Sequence, residues 1–355
     1  PAPAPSPSSS PSPSPLPPPP DSDSSDSESD LAPAGPAPKY LRQSLSLLQT
    51  AETADNFAAK QEAGLRSLPI LLRKSPPDAP LLADRLLGAV SNISNDSNMD
   101  GFGELRDAAA VALLVACPAE VAPNLVARIF DQMGIGDVLS GLGWIESAAF
   151  ELSGARKSGE KRALREPGTV RKSTLLAAAK GGEGGSAAVE KAKTKRWGGR
   201  AEPVKSRRNL FAPHAPLFFE ALAAAFYANR ASPLFGGEAG ARVVARVLTT
   251  LASFATCAGA GERSAIAANA WAVARDFRDA GDVAVRRAVL AVLYDVVPEM
   301  SVEHVAVLVQ DGGGGGVVGW LEEQGKGGDE MSALMAEGVR GKLLEQVQQF
   351  TSATR

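Results

Sequence analysis

The sequence predicts an all-α fold. Three observations carry that expectation. Apolar residues recur at intervals of three and four through most of the chain, the period of a helix that buries one face. Alternation with a period of two, the mark of a half-buried strand, is nowhere convincing. Two well-separated helical stretches, LRDAAAVALL at 105–114 and VRRAVLAVL at 285–293, share a pattern. In each, an apolar residue precedes an arginine, alanine follows two positions later, and apolar positions run on to a leucine.

The chain has 355 residues, 44% hydrophobic and only 5% aromatic, with 35 glycines. Such a composition supports a sizeable core made by close helix contacts and aliphatic side chains. A net charge of −3 hides a strong segregation of charge. Cys117 and Cys257 lie far apart and in no metal-like spacing, so buried, reduced thiols in an intracellular protein are expected. The longest apolar run, AAAVALLVAC at 108–117, is well short of the roughly 18 residues a membrane span needs. The chain begins at Pro1 and not at methionine, which leads us to expect a piece of a longer protein.

The first elements are not helical. PAPAPSPSSSPSPSPLPPPP is proline-rich and aperiodic, and DSDSSDSESD at 21–30 is all serine and acid, so residues 1–38 are expected to be disordered. Residues 39–154 read as a helical domain. Tyr40, Leu41, Leu45 and Leu48 form one apolar stripe. The next helix, with Asp55 as its expected cap, carries Phe57, Leu65, Leu68 and Leu72 until SPPDAP stops it. LLADRLLGAVSNI follows, then the polar turn SNDSNMDG. Leu105, Ala109, Ala112, Leu113 and Ala116 share a face of the following helix, which Pro118 is expected to end. VAPNLVARIF then starts its partner. DVLSGLGWIESAAFELSG closes the block, with Gly154 as the expected stop.

Residues 155–208 change character and are expected to form a disordered basic linker. Between Arg156 and Arg208 stand 16 lysines and arginines against 5 acids. Helical reading resumes over 209–355, with NLFAPHAPLFFEALAAAF, GARVVARVLTTLASFATCAG, RSAIAANAWAVARDF and DVAVRRAVLAVLYDVV. The shared pattern of 105–114 and 285–293 looks like the second helix of a HEAT-type repeat, in which antiparallel pairs stack on their neighbours. Chance likeness between alanine-rich helices is the alternative. On the repeat reading, Arg106 and Arg286 are structural, each bonding a neighbouring loop or an acid.

No catalytic constellation emerges. Only two histidines exist, His214 and His304, and neither lies near a cysteine or an acid pair in sequence. GGEGG at 181–185 and GGGGG at 312–316 lack the preceding strand and following Lys–Ser/Thr of a phosphate cradle. We therefore expect no enzyme, no metal and no cofactor. The basic segment, with Trp197 inside KAKTKRWGGR, has two readings: a solvated loop or nuclear-localisation patch, or a weak nucleic-acid contact.

These segments taken together resemble the telomere length regulation proteins. The resemblance rests on KYLRQSLSLL, GFGELRDAAAVALLVACPAEVAPNLVARIFD and ESAAFELSG, followed in order by NLFAPHAPLFFEALAAAF, FGGEAGARVVARVLTTLASFATCAG, DVAVRRAVLAVL and GWLEE. It runs roughly from 21 to 345 and corresponds to the C-terminal part of the family. It implies a HEAT-like α-solenoid that acts as a non-catalytic scaffold in the cytoplasm and nucleus. The partners implied are the two other helical-repeat subunits of the Triple-T complex, phosphatidylinositol-3-kinase-related kinases such as those of growth and DNA-damage signalling, and the ninety-kilodalton heat-shock chaperone. Telomere maintenance follows through those kinases, and direct binding of telomeric DNA by 156–208 is the alternative.

The resemblance also gives DSDSSDSESD a role. The family carries a serine–acid cluster that casein kinase two phosphorylates and a chaperone adaptor reads through a basic pocket. That kinase favours an acid three residues after the serine. Ser25 has Glu28 there and Ser27 has Asp30, whereas Ser22, Ser24 and Ser29 have none. Ser27 also sits in Asp26-Ser27-Glu28, the acid–serine–acid core. Phosphates on Ser25 and Ser27 would supply the missing charge for Ser22 and Ser24, with Asp23 among the flanking acids. An unmodified acidic spacer is the other reading. Around Trp320 the sequence departs from the family, with LEEQGKGGDE beside the glycine run, so a loosened last repeat is expected.

Overall fold

The computed structural model describes residues 37–74, 76–96, 98–155, 208–310, 316–327 and 329–353. Thirteen α-helices and no strand occur among these described residues. Most of the two segments expected to be disordered, including all of 1–36 and 156–207, lies outside them.

Six helices precede the basic segment: α1 (Leu41–Leu48), α2 (Phe57–Leu72), α3 (Ala79–Asn92), α4 (Phe102–Ala116), α5 (Pro118–Gln132) and α6 (Ile135–Ser153). Seven follow it: α7 (Ala215–Ala228), α8 (Gly237–Cys257), α9 (Arg263–Arg275), α10 (Val283–Val296), α11 (Val302–Gln310), α12 (Val317–Lys326) and α13 (Glu330–Ala353). They pack in two rows. One row runs α1, α3, α5, α7, α9; the other runs α2, α4, α6, α8, α10 and then α13. Each of the first ten helices touches its neighbours in its own row and its sequence neighbour in the other, while α11 and α12 pack on α13. Helices α2, α4 and α6 point the same way. The start of α4 meets the start of α6 where Arg106 bonds Asp137, and the ends of α2 and α6 meet at Arg73–Glu151.

This arrangement explains the composition. A helix in the middle of a row has neighbours on several sides and is apolar around much of its circumference. In α8, Val243, Val247, Leu248, Leu251, Ala252, Phe254 and Ala255 are all buried. The few aromatic rings are concentrated just after the basic segment. Phe211, Phe218 and Phe254 pack with centroids 5.2–6.0 Å apart, while Phe226 meets Phe235 and Phe277. Cys117 and Cys257 are both buried and unbridged.

Some element ends differ from the expected ones. Asp55 does not cap α2: the N-cap is Asn56, in the left-handed region at φ 58°, and no side chain bonds the first turn. Asparagine tolerates that conformation better than most residues. Pro118 does not separate α4 from its partner; it is the first residue of α5, where a missing N–H costs nothing. The break falls on Cys117, at φ −134° and ψ 61°. Gly154 does end α6, at φ 75°, with its N–H donated to the Glu151 carbonyl. Where a loosened last repeat was expected, Trp320 is buried and its Nε1 donates to the Arg278 carbonyl at 3.2 Å.

The two blocks form one body. Glu146 of α6, 7% exposed, accepts from Arg246 of α8 at 2.9 Å and from the Ser253 hydroxyl at 2.8 Å. Phe130 of α5 packs on Phe235 at 5.8 Å. Leu210 N–H donates to the Leu152 carbonyl at 2.9 Å, so the chain rejoins the body beside the point where it leaves. Asn209 locks that return: its Nδ2 donates to the Cys257 carbonyl, and its Oδ1 accepts from Phe211 and Ala212. Removing residues 157–206 and joining the ends with a short Gly-Ser tether is therefore expected to move the melting temperature by less than about 2 °C, since closing a shorter loop changes stability only modestly. Calorimetry on the two chains checks this; cooperative unfolding split into two transitions would contradict it.

Candidate functional site

The acidic cluster implied as the partner-binding motif, Ser22, Asp23, Ser25, Asp26, Ser27, Glu28 and Asp30, lies outside the described residues, as does the basic stretch 156–207. Of the residues singled out in the sequence, the structure places Arg106 and Arg286, and it puts both in the same kind of position.

Arg106 sits in the first turn of α4, with its side chain only 13% exposed. Its Nε donates to the Val90 carbonyl at 3.1 Å and its Nη2 to the Ser91 carbonyl at 2.7 Å, both in the last turn of α3. Those carbonyls have no partner within their own helix, and a cation there also opposes the negative end of the helix dipole. Nη1 reaches Asp137 in the first turn of α6 at 2.9 Å, and the guanidinium lies over the Trp144 ring, 5.1 Å from its centroid. Trp144 in turn donates to Asp107 at 2.6 Å. One arginine thus joins three helices. Arg286, in the first turn of α10, donates to the carbonyls of Ala280 and Gly281 at 2.7 and 2.9 Å, in the loop after α9. It holds no carboxylate among the described residues.

The following residue, Arg287, takes that part. It grips Asp329 with two hydrogen bonds, at 3.0 and 2.5 Å. Asp329 also accepts from the Ser332 N–H and hydroxyl, capping α13. The Arg287 guanidinium and then the Ser332 hydroxyl hold the Asp329 carboxyl well below the usual carboxylate range. Sequence reasoning missed this pair and the Glu146–Arg246 pair. The second had a signal: Glu146 stands alone in the apolar stretch GWIESAAF, where a buried acid requires a partner.

Chemistry beyond structural pairing is sparse. No group of three or more metal-ligating side chains occurs among the described residues. His304 Nδ1 lies 3.0 Å from the Ser264 hydroxyl and 2.9 Å from that of Ser301, while Ser264 Oγ accepts the Ser301 N–H at 2.7 Å. This knot fixes the entry to α11. Burial pushes the Cys117 thiol up to about 11, with Glu120 adding to the effect, so it is a poor nucleophile at neutral pH. His214 belongs to a short 3-10 turn leading into α7.

Two concave features are at the amino-terminal end, and a third, of about 550 Å³, lies between α12 and α13. A hollow of about 460 Å³ opens beside α1, α3 and α5, with Gln61, Asp84, Arg85, Asn92 and Arg128 in its lining. A second, of about 610 Å³, lies between α1 and α3. No helix among the described residues is long and apolar enough to cross a membrane.

Residues 38–137 match the family described as telomere length regulation protein. The matched span runs from α1 to the start of α6 and contains both Arg106 and its partner Asp137. It agrees with the family suggested by KYLRQSLSLL and GFGELRDAAAVALL, and points to a role in telomere regulation. No curated protein and no solved structure matches the chain.

Two substitution outcomes follow. Arg106→Ala is expected to cost about 2–4 kcal/mol, because it strips charged hydrogen bonds from buried carbonyls, and Arg286→Ala about 1–2 kcal/mol. Arg106→Lys should not restore stability, lacking the fork that spans both carbonyls and Asp137. Chemical denaturation measures all three; unchanged stability in both alanine variants would show these clamps to be idle.

The pH outcome concerns Asp329. Its folded pKa is depressed, so its contribution is present above the ordinary carboxylate value of about 3.9 and is lost as pH falls below it. Asp329→Asn should lower the melting temperature by about 2–5 °C at pH 7, and thermal scans should show that difference shrinking below about pH 4.

Proposed function

We propose that this chain, with its telomere length regulation domain at 38–137, is a non-catalytic scaffold. In this reading the stacked helices form a HEAT-like α-solenoid, and the serine–acid cluster ahead of it is the tether for a chaperone. The observation that carries the proposal is the position of the matched domain. It is continuous with a two-row helical body, and it begins eight residues after the last acid of DSDSSDSESD. A body of this kind suits scaffolding, because each helix pair adds surface without needing a reaction centre.

The proposed partners are the two other helical-repeat subunits of the Triple-T complex, the phosphatidylinositol-3-kinase-related kinases, and the ninety-kilodalton heat-shock chaperone through its phosphopeptide-reading adaptor. Telomere maintenance, checkpoint signalling and growth signalling are then consequences of kinase stability. The proposed locations are cytoplasm and nucleus. Apolar side chains exposed on the helices, among them Ile70, Leu81, Leu334 and Leu344, offer contact points for such subunits.

The tether makes the reading testable. A peptide covering 18–34 treated with casein kinase two is expected to gain phosphate on Ser25 and Ser27. Each phosphate adds about −1.5 to −2 charges and acceptor oxygens for lysine or arginine. Charge-assisted hydrogen bonds of about 1.5–3 kcal/mol each make two lost phosphates worth at least about a hundredfold in affinity for the adaptor. Ser25→Ala with Ser27→Ala should detach the chaperone in affinity purification while the partner subunits stay bound. Equal affinity of plain and phosphorylated peptides in calorimetry would leave the acidic cluster as a spacer.

A further inference from the structure

We infer that the acidic segment 21–30 also has a docking place on its own body: the hollow between α1 and α3, with its acids on Arg42 and Arg85. That hollow is lined by Arg42, Leu45, Ser46, Gln49, Leu82 and Arg85 and contains no carboxylate. Both arginines are exposed, and neither has an ion pair or hydrogen bond with another described residue. Several arginines elsewhere on the body are engaged, as Arg73, Arg106, Arg128, Arg246 and Arg287 each hold an acid. Two unpaired guanidinium groups facing one concavity favour an anion, and their planar forks suit carboxylate or phosphate.

A second observation narrows the anion to a peptide. The adjoining hollow shares Gln49 and Arg85 with the first, and Gln61 lines it. Gln61 is 4% exposed, and its Oε1 has no hydrogen-bond partner. A buried acceptor without a donor is costly and calls for a donor from outside. A fully ionised inorganic anion such as sulfate brings none; a serine-rich acidic peptide brings backbone N–H and hydroxyl groups with its carboxylates. The two acids of this second hollow do not compete for the arginines of the first. Asp84 is held by Arg128 at 3.1 Å, and Glu52 belongs to the turn beyond α1.

The chain's own segment fits that description and is close at hand. DSDSSDSESD has five acids and no base, and only residues 31–41 separate it from Arg42. Eleven residues extend to about 36–40 Å, while α1 is only about 12 Å long. A tether of this length gives an effective concentration in the millimolar range, enough to hold a contact too weak to persist between separate molecules. The docked segment would be withheld from any reader in solution. The inference does not depend on which reader that is.

Spin labels at Ser24→Cys and Ile70→Cys of the full chain test it. Ile70 is 61% exposed and lies outside both hollows, whereas Cys117 and Cys257 are buried and escape labelling. Dipolar spectroscopy is expected to show a narrow distance distribution that broadens and lengthens with Arg42→Glu plus Arg85→Glu, and again on raising the salt from about 0.1 to about 1 M. Circular dichroism of the double variant should match the parent, since both arginines are exposed. The same distribution with and without the charge reversals would overturn the inference. So would a short distance that survives those reversals but vanishes when 157–206 is deleted, which would assign the acids to the basic segment. Loss of the short distance on dilution with excess unlabelled chain would mean docking on a second copy, and would overturn it too.

Discussion

The helices after the basic segment are held to those before it by two seams, α6 on α8 and α5 on α7, and Glu146 is the charged group in the first. An ionised carboxylate that is 7% exposed is tolerable only if its oxygens are satisfied, and Arg246 and Ser253 do so from the facing helix. Removing one partner from such a pair typically costs about 3–5 kcal/mol, because the other is left charged in a poor solvent. The pair therefore contributes more to fixing which faces of α6 and α8 meet than to net stability. With that register set, Phe130 finds Phe235, Leu210 finds the Leu152 carbonyl, and the rows continue without a gap.

A second device recurs at the turns between rows. Passing from one row to the other leaves the last carbonyls of a helix without partners, and the body meets this with arginines from the first turn of the next helix. Arg106 serves α3 in this way, and Arg286 serves the loop after α9. The carboxylate that completes the clamp differs: Asp137 bonds Arg106 itself, whereas Asp329 bonds the neighbouring Arg287. Both acids stand at the start of a later helix in the same row, so each clamp also spans from one helix pair to the next. Gly240 shows the tolerance of such packing. A Cβ there would lie 2.2 Å from the Phe235 backbone, so the 3-10 turn ahead of α8 can close only on a glycine.

Much of this was legible in the sequence. Leu41, Leu45 and Leu48, or Ala109, Ala112 and Leu113, announce their helices because burial on one side imposes a 3.6-residue period, and all six are buried. Gly154 announced its stop because few other residues enter the left-handed region cheaply. The turn at Asp55–Asn56 was misread because either residue is a plausible cap, and only the left-handed backbone at Asn56 separates them. The partners of the arginines were invisible for another reason. Asp137 is 31 residues from Arg106 and Glu146 is 100 from Arg246, and no local pattern records a contact across that distance. The hollow with Arg42 and Arg85 was likewise unreadable, since its two charges come from different stripes of different helices.

The placement of charge ties these strands together. Inside the body, many arginines are consumed in clamps and pairs, which makes them structural. Charge of one sign is densest in two stretches outside it, ten residues with five acids and 53 residues with 16 bases against 5 acids. The acidic stretch has no apolar side chain to contribute to a core. The rows, in turn, need no charge for cohesion beyond the clamps, because Leu, Val and Ala fill the space between helices. On the function proposed above, modifying the acidic stretch would change the interactions of this chain while its helical body stays the same.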